Sequence, residues 1–340
     1  MAEPVDFRTT VELERFELAS FAPGKKHSLW LHAFDELSGP VLLPGLVVRG
    51  ARPGPLLLAI AGVHGDEYEG MEAIRQCVDA LDPDTLTGTF IGIPVANPFA
   101  YAARCRATPA AFDGLNLARV FPGDPAGTPT RRLADALLRF VARLVGPDDC
   151  FIDFHSGSAD ADYATVVGVR DVPGTERSQA IARAFGISRL WLIPDSTGPF
   201  NAETARRGIP TIGTETTGRA GCLAADVAAY LQGLHNTLAF LGMALAPQPV
   251  VSDAPFSRTV DLVAPLTGFF RTEKQLYDAV EKGERIGVFI DLFGAKLAEF
   301  SAPVAGEIWA MRATPAVRSG ELLGMIAVVT QQSSERNVRG

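Results

Sequence analysis

The chain has 340 residues, of which 31 are Lys or Arg and 39 are Asp or Glu, so its net charge is -8 at neutral pH. With 47% hydrophobic and 21% charged residues, the composition excludes a disordered, collagen-like or coiled-coil chain and predicts a substantial core. There is no dense basic stripe, and the apolar runs are far shorter than the roughly 20 residues that span a bilayer, so we expect neither a nucleic-acid nor a membrane partner.

From about residue 55, apolar strand-like segments alternate with amphipathic helical ones, which predicts an α/β fold with a mostly parallel or mixed sheet flanked by helices. The predicted strands are apolar or β-branched and bounded by Gly, Pro or Asp: Leu56–Ala61, Thr89–Val95, Cys150–Phe154, Tyr163–Val169, Leu190–Ile193 and Pro210–Glu215. The predicted helices begin near Glu69 and then cover Thr130–Val145, Glu176–Phe185, Asn201–Arg207 and Ala224–Phe240. In the first 50 residues, Val41–Val48 is a candidate to extend the sheet edge.

A proline-rich segment, residues 246–254, predicts a linker between a domain of residues 1–245 and a smaller domain of residues 255–335. Within the second region, Ala-Pro-x-x-Gly at 264–268 recurs at 302–306, and Gly-Glu-x-x-Gly at 283–287 recurs at 320–324. Short strands, glycine turns and this duplication predict an all-β barrel or sandwich of two interlocked halves. The region resembles the lipoyl/biotinyl-carrier-like hybrid fold. Lys296 lacks the sequence context of a modified carrier lysine, so we interpret the region as structural.

Two histidines follow predicted strands at positions where a metal site is plausible on chemical grounds. The strand Leu56–Ala61 leads into His64 and Glu67, and Cys150–Phe154 leads into His155. Open α/β sheets build their sites at the carboxyl ends of strands, and a His and a Glu three residues apart can face the same side. Two imidazoles and a carboxylate suit zinc and leave one position for water. From the residues alone, two interpretations stay open: a metal site, and an H-x-x-E pattern that occurs by chance.

Further polar residues occur near other predicted strand ends. Arg106 and Arg119 lie in a Gly- and Pro-rich loop, where they are either solvated or available for bidentate recognition of a carboxylate. Glu215 ends a strand and is as compatible with a salt bridge as with catalysis. Asp153, two residues before His155, either orients that imidazole or forms a structural salt bridge.

Five motifs occur in one order along the chain: G-x-H-G-x-E at 62–67, A-N-P-x-A at 96–100, D-G-x-N-L-x-R-x-F-P-G at 113–123, D-x-H-x-G at 153–157 and T-E-x-x-G at 214–218. This order resembles the succinylglutamate desuccinylase/aspartoacylase family, a branch of the zinc carboxypeptidase superfamily. The match spans about residues 55–220, and the C-terminal β region fits the same family. The resemblance implies a zinc carboxypeptidase-like fold and a zinc hydrolase domain in residues 1–245.

The resemblance also implies roles for individual residues. It implies three ligands for one zinc ion per chain: His64, Glu67 and His155. It implies that Glu215 activates the metal-bound water and that Arg106 polarises the substrate carbonyl. Arg119 would grip a substrate carboxylate, and Asn116 belongs to the same substrate-binding motif. Ala118 stands where family members often have Asn, which leaves the acyl group and the amino acid open.

We therefore expect a zinc-dependent amidohydrolase that deacylates a small N-acyl amino acid or a similar carboxylate-bearing amide. Two alternatives stay open: a zinc carboxypeptidase acting on short peptides, and a metal-free binding or carrier protein modified at Lys296. No basic segment followed by an apolar one is visible at the N-terminus, and the four scattered cysteines suit reduced thiols, so we expect a cytoplasmic location. A homo-oligomer is compatible with the sequence.

Overall fold

The computed structural model describes residues 9–244 and 251–329. The strands of the first range are β1 (Thr10–Glu12), β2 (Lys25–Glu36), β3 (Gly39–Arg49), β4 (Arg52–Ile60), β5 (Thr87–Ile93), β6 (Cys150–Phe154), β7 (Ala161–Tyr163), β8 (Val166–Arg170), β9 (Leu190–Ile193) and β10 (Thr211–Glu215). Its α-helices are α1 (Glu69–Ala80), α2 (Pro98–Ala103), α3 (Pro129–Leu144), α4 (Glu176–Phe185), α5 (Phe200–Arg206) and α6 (Ala224–Phe240). None of the helices in the described ranges is long and apolar enough to cross a membrane.

Apart from β7, these strands form one mixed sheet in the order β1-β2-β3-β5-β4-β6-β10-β8-β9. The strands β4, β6 and β10 are neighbours and run parallel, whereas β8 is antiparallel to β10. The predicted mixed sheet is confirmed, and β3 extends its edge as expected. The carboxyl ends of β4, β6 and β10 therefore meet at one edge of the sheet.

Helices cover both faces of the sheet, because alternate residues of its central strands are apolar on either side. Along β4, Leu57 and Ala59 pack in one core cluster with residues of α1, α4 and α6. Leu56 and Leu58 pack in a second cluster with residues of α3 and α5. The period-2 alternation places apolar side chains of this buried strand on both faces of the sheet, and the predicted flanking helices pack against them.

One predicted strand, Tyr163–Val169, is wrong as a single element. The structure has two strands there, β7 and β8, with different partners. The backbone N–H of Ala164, in the break, donates to Trp309 O at 2.7 Å. The chain thus changes its pairing partner between β7 and β8. The apolar composition of the segment does not reveal this change.

The C-terminal region is rich in β-structure. Its strands are β11 (Phe256–Val263), β12 (Gly268–Thr272), β13 (Ala279–Val280), β14 (Arg285–Ile290), β15 (Lys296–Ser301), β16 (Gly306–Arg312), β17 (Ala316–Val317) and β18 (Leu322–Val329). Strand β11 pairs in parallel with β9, so the large sheet continues through β11, β18, β16 and β13. The other four form a second sheet, β15-β14-β12-β17.

Each sequence repeat has a short strand that pairs with a strand of the other repeat. Strand β13 of the first repeat pairs with β16 of the second, and β17 of the second pairs with β12 of the first. The barrel or sandwich classification, the likeness to the hybrid fold and the domain limits at residues 245 and 255 stay predictions. The predicted linker, residues 246–254, lies largely outside the described residues.

Candidate active site

The loop after β4 brings His64 and Glu67 to the carboxyl edge of the sheet. Gly65, between them, packs directly on the backbone of α2: a Cβ at this position would lie 2.0 Å from the carbonyl carbon of Ala100. The backbone N–H of Gly65 donates to Cys105 O at 3.0 Å. Only glycine fits this close approach, and it fixes the loop that carries the two polar side chains.

His155 reaches the same point from the neighbouring strand β6. Its backbone N–H donates to Thr214 O at 3.2 Å, and Tyr230 Oη donates to its backbone O at 2.6 Å. His155 Nδ1 lies 3.2 Å from His64 Nδ1 and 2.9 Å from Glu67 Oε2. His64 Nδ1 lies 2.8 Å from Glu67 Oε1. The three side chains predicted as metal ligands therefore converge, with one ligand atom from each within 4.8 Å of the others.

The outer nitrogen of each imidazole, Nε2, lies near a side-chain oxygen. His64 Nε2 is 3.0 Å from Asn116 Oδ1, which also accepts from Ala118 N at 2.9 Å, and His155 Nε2 is 3.3 Å from Asp153 Oδ1. A neutral ring that donates through Nε2 has its lone pair on Nδ1. Three electron-pair donors then face one another, an arrangement that needs a cation among them. This donor set fits a divalent metal such as zinc.

The electrostatics of the cluster also favour positive charge. Burial lowers the pKa of His64. Burial acts the same way on His155, but the Asp153 and Glu67 carboxylates outweigh it and raise the pKa of His155 well above its usual value. For Glu67, burial is outweighed by the two imidazoles, which hold the pKa of that carboxyl well below its usual range. The cluster therefore stabilises an ionised carboxylate and a positive charge beside it.

Arg106 and Ser158 both form hydrogen bonds with Glu67 Oε1. Arg106 Nη1 donates to Glu67 Oε1 at 2.8 Å and to Ser158 Oγ at 2.6 Å, and Ser158 Oγ donates to the same Glu67 oxygen at 2.6 Å. Ser158 has a positive φ of 52°, a conformation uncommon for residues other than glycine. Arg106 is thus fixed beside the three candidate metal ligands, and its predicted role toward the substrate carbonyl stays a prediction.

Glu215, the last residue of β10, lies beside this cluster. Its Oε2 is buried without a hydrogen-bond partner among the described residues. Burial raises the pKa of Glu215 to about 8, with Glu67 adding to the effect and His155 opposing it. Because no residue in the described ranges forms a salt bridge with this carboxyl, it is free to exchange a proton near neutral pH.

A cavity of about 570 Å³ opens in front of the cluster. It is lined by the predicted residues His64, Arg106, Arg119, His155 and Glu215. Strands of the C-terminal region also line it, through Thr259, Asp261, Leu322 and Met325. The cavity is therefore built jointly by the residues before and after the predicted linker.

Asn116 has a contact that its motif did not indicate. Its Oδ1 lies 3.0 Å from His64 Nε2, so the side chain orients the imidazole of a candidate metal ligand, while its predicted substrate-binding role stays a prediction. Three residues of the site were missed from the sequence: Ser158, Tyr163 and Arg170. Ser158 directly follows the D-x-H-x-G motif, which was a usable signal. Tyr163 begins the segment that was predicted as one continuous strand, and Arg170 directly follows that segment, so the missed break between β7 and β8 hid both residues.

Comparisons with known proteins identify related chains. Residues 53–241, more than half of the chain, match the succinylglutamate desuccinylase/aspartoacylase catalytic domain. The N-alpha-acetyl-L-2,4-diaminobutyric acid deacetylase of Halomonas elongata is 29% identical over 306 residues, which are 86% of this chain and 87% of that protein.

Solved structures of related proteins have the same fold. A succinylglutamate desuccinylase/aspartoacylase from Rhodobacter sphaeroides is 26% identical, with a TM-score of 0.80 over 91% of this chain and 98% of that one. The product-bound ectoine utilization protein EutE (DoeB) from Ruegeria pomeroyi has the same TM-score and coverage at 24% identity. The match over residues 53–241 and the convergence of the family's motifs at one sheet edge lead to one conclusion: the chain belongs to the succinylglutamate desuccinylase/aspartoacylase family.

Proposed function

We propose that this chain is a zinc-dependent deacylase that hydrolyses the amide bond of a small N-acyl amino acid. The observation that carries the proposal is the meeting of His64, Glu67 and His155 at one end of a cavity that Glu215 also lines. The name of the Halomonas elongata relative, a deacetylase of an N-acetylated amino acid, supports the same reaction class.

The three converging donors would hold the metal. Zinc bound there would supply Lewis-acid activation of a water molecule and of the amide carbonyl. Asn116 and Asp153 lie at the opposite ring nitrogens and would leave the Nδ1 lone pairs of His64 and His155 available to the metal. Among the described residues this is the group of His, Cys, Asp and Glu side chains with such a convergence.

The remaining side chains have separate roles in the proposed reaction. Glu215 takes a proton from the attacking water on its unpaired Oε2 and passes it to the leaving amine. Arg106 donates from the cavity wall to the carbonyl oxygen as negative charge develops there, a contact typically worth about 3 kcal/mol. Arg119, whose Nη1 is tied to Ala118 O at 2.9 Å, binds the substrate carboxylate with its other nitrogens.

The test is a zinc-loaded preparation assayed on a panel of N-acyl amino acids, with Glu215→Gln as the paired variant. The variant keeps the size of the side chain but cannot accept a proton, so we expect kcat to fall by about 100-fold to 10,000-fold while bound zinc is unchanged. Parent-like hydrolysis by Glu215→Gln contradicts the proposal. Dipeptides in the same panel separate it from the peptidase alternative, which predicts their cleavage at the higher rate.

A further inference from the structure

Tyr163 lines the cavity in front of the metal cluster, and the proposed reaction gives it no role. It is the last residue of β7, and its side chain is partly buried. Within residues 9–244 and 251–329, Tyr163 Oη forms no hydrogen bond at the 3.5 Å limit. A phenolic hydroxyl that is withdrawn from bulk water usually has a partner. The Tyr163 hydroxyl is therefore free to bind a ligand in the cavity.

Hydrogen bonds on two sides fix the backbone of Tyr163. Its N–H donates to Thr217 O at 3.3 Å, in the segment that follows β10. On the other side, Tyr163 lies opposite Ala310 in the antiparallel pairing of β7 with β16. The preceding residue, Asp162, forms an isolated bridge with Gly218. The ring thus extends from a backbone that is held in place, so its hydroxyl needs little reorganisation to bind a developing charge.

The charges around the Tyr163 hydroxyl place it near the reacting bond. Burial raises the pKa of Tyr163, and among the charged neighbours Glu215 raises it most and Arg106 lowers it most. Glu67 and Arg119 act in the same two directions with smaller effects. Because charge effects weaken with distance, the hydroxyl lies closer to Glu215 and Arg106 than to Arg119, the residue proposed to bind the substrate carboxylate. The raised pKa keeps the proton on the oxygen, so Tyr163 is a hydrogen-bond donor at neutral pH.

We propose that Tyr163 is a catalytic residue that donates its phenolic O–H to the amide carbonyl oxygen as negative charge develops there, beside Arg106. This inference rests on the proposed function and deepens it. Arg106 alone among the side chains was assigned to that oxygen, and Tyr163 adds a second, neutral donor.

The step balances without a proton from Tyr163. As the water oxygen bonds to the carbonyl carbon, the π electron pair of the carbonyl moves onto its oxygen, and the water proton goes to Glu215. The pair returns when the C–N bond breaks and the amine leaves with that proton. A hydrogen bond to the charged oxygen is stronger than one to the neutral carbonyl, so the donor lowers the barrier more than it improves substrate binding.

The kinetic test is Tyr163→Phe, which removes one oxygen and keeps the ring. On the N-acyl amino acid that the zinc-loaded parent hydrolyses fastest, we expect kcat to fall by about 100-fold while KM stays within about threefold. Bound zinc and the melting temperature should not change. Tyr101→Phe removes the same oxygen from an exposed tyrosine of α2 and should react like the parent.

Two kinetic results would overturn the proposal. A raised KM with the parent kcat would mean that the hydroxyl binds the substrate before the reaction and does not act on the developing charge. A loss of kcat that is matched by lost zinc and a lower melting temperature would mean that Tyr163 only supports the fold around the metal cluster.

A binding measurement separates this inference from the proposed function. N-(methylphosphonyl)-L-alanine carries a tetrahedral, negatively charged group in place of the amide carbonyl, and N-(methylsulfonyl)-L-alanine carries a neutral group of the same shape. In calorimetric titrations of zinc-loaded protein, Tyr163→Phe should bind the phosphonyl compound about tenfold or more weakly than the parent, and the sulfonyl compound within about threefold. If the parent hydrolyses no N-acyl amino acid but shows this difference, the proposed function fails while the donor role of Tyr163 stands. Equal affinities of parent and variant for the phosphonyl compound overturn that role.

Discussion

His64 and His155 present the same ring nitrogen, Nδ1, to Glu67, and each uses Nε2 to reach an oxygen. The oxygen near His64 belongs to a neutral amide, Asn116, whereas the oxygen near His155 belongs to Asp153, a 1% exposed carboxylate. A carboxylate behind an imidazole fixes the tautomer and makes the ring a stronger ligand. The two imidazoles are therefore not equivalent, and His155 is the one with a carboxylate behind its ring.

At the residue scale, we predict that Asp153→Asn weakens zinc binding by about 10-fold to 100-fold, because the His155 ring loses the charge that supports it. Competition with a chromophoric chelator measures this affinity. Asp171→Asn, at an exposed carboxylate paired with Arg258, is the control and should bind zinc like the parent. An unchanged affinity in Asp153→Asn would show that Asp153 has a structural role instead.

Among the elements, the N-terminal strands β1 and β2 are joined by a charged cluster around His32. Its Nδ1 lies 2.7 Å from Glu12 Oε2 on β1, and its Nε2 lies 2.9 Å from Asp35 Oδ1 on β2. Partial burial opposes a charge on the ring, but the hydrogen bonds and charges of the two carboxylates outweigh it and raise the pKa of His32. The short edge strand β1 thus depends partly on a protonated imidazole.

This pKa shift gives a stability prediction with a definite sign. A folded-state pKa above the unfolded value of about 6.5 stabilises the fold below that value, and the contribution is lost as the pH rises through the folded-state pKa. We therefore expect His32→Gln to lower the free energy of unfolding more at pH 5.5 than at pH 9, measured by urea denaturation at both values. His27→Gln is the control, because the ring of His27 contacts the backbone O of Ala22. Equal losses at both pH values would contradict the prediction.

The positions of the candidate metal ligands at strand ends could be predicted from the sequence, whereas the residues at the far end of the cavity could not. His64, Glu67, His155 and Glu215 each follow or end an apolar run, so local pattern and strand order suffice to bring them together. Arg170 required knowing that the chain breaks between β7 and β8 and reverses beside β10. That information lies in long-range pairing, which leaves no periodic signal in the sequence.

In the whole molecule, one sheet continues from the first region into the C-terminal strands. Trp309 and Ala327 of the C-terminal region pack in one buried cluster with Ala164 and Val166. Arg189 crosses the same junction, donating to Glu307 Oε1 at 2.6 Å. The repeats predicted a β-rich C-terminal region, but not that its strands would pair with β9 and form part of the cavity wall, because sequence pattern does not specify which sheet edges meet.

At this scale we predict that residues on both sides of the predicted linker unfold together. The shared sheet and the buried cluster couple the two regions, so differential scanning calorimetry should give a single cooperative transition. Trp309→Ala removes the largest side chain of the cluster. It should lower the melting temperature while the transition remains a single peak. Two well-separated transitions in the parent would mean that the regions fold independently.

The deacylase activity proposed for this chain depends on one zinc ion held by three side chains from two strand ends. Its most direct test is titration of metal-free protein with zinc while the hydrolysis of an N-acyl amino acid is followed. We predict that activity is absent at the start, rises in proportion to added zinc and reaches its plateau at one equivalent per chain. Full activity in the metal-free protein, or a plateau unrelated to the zinc bound, would show that the chain is not a zinc-dependent deacylase.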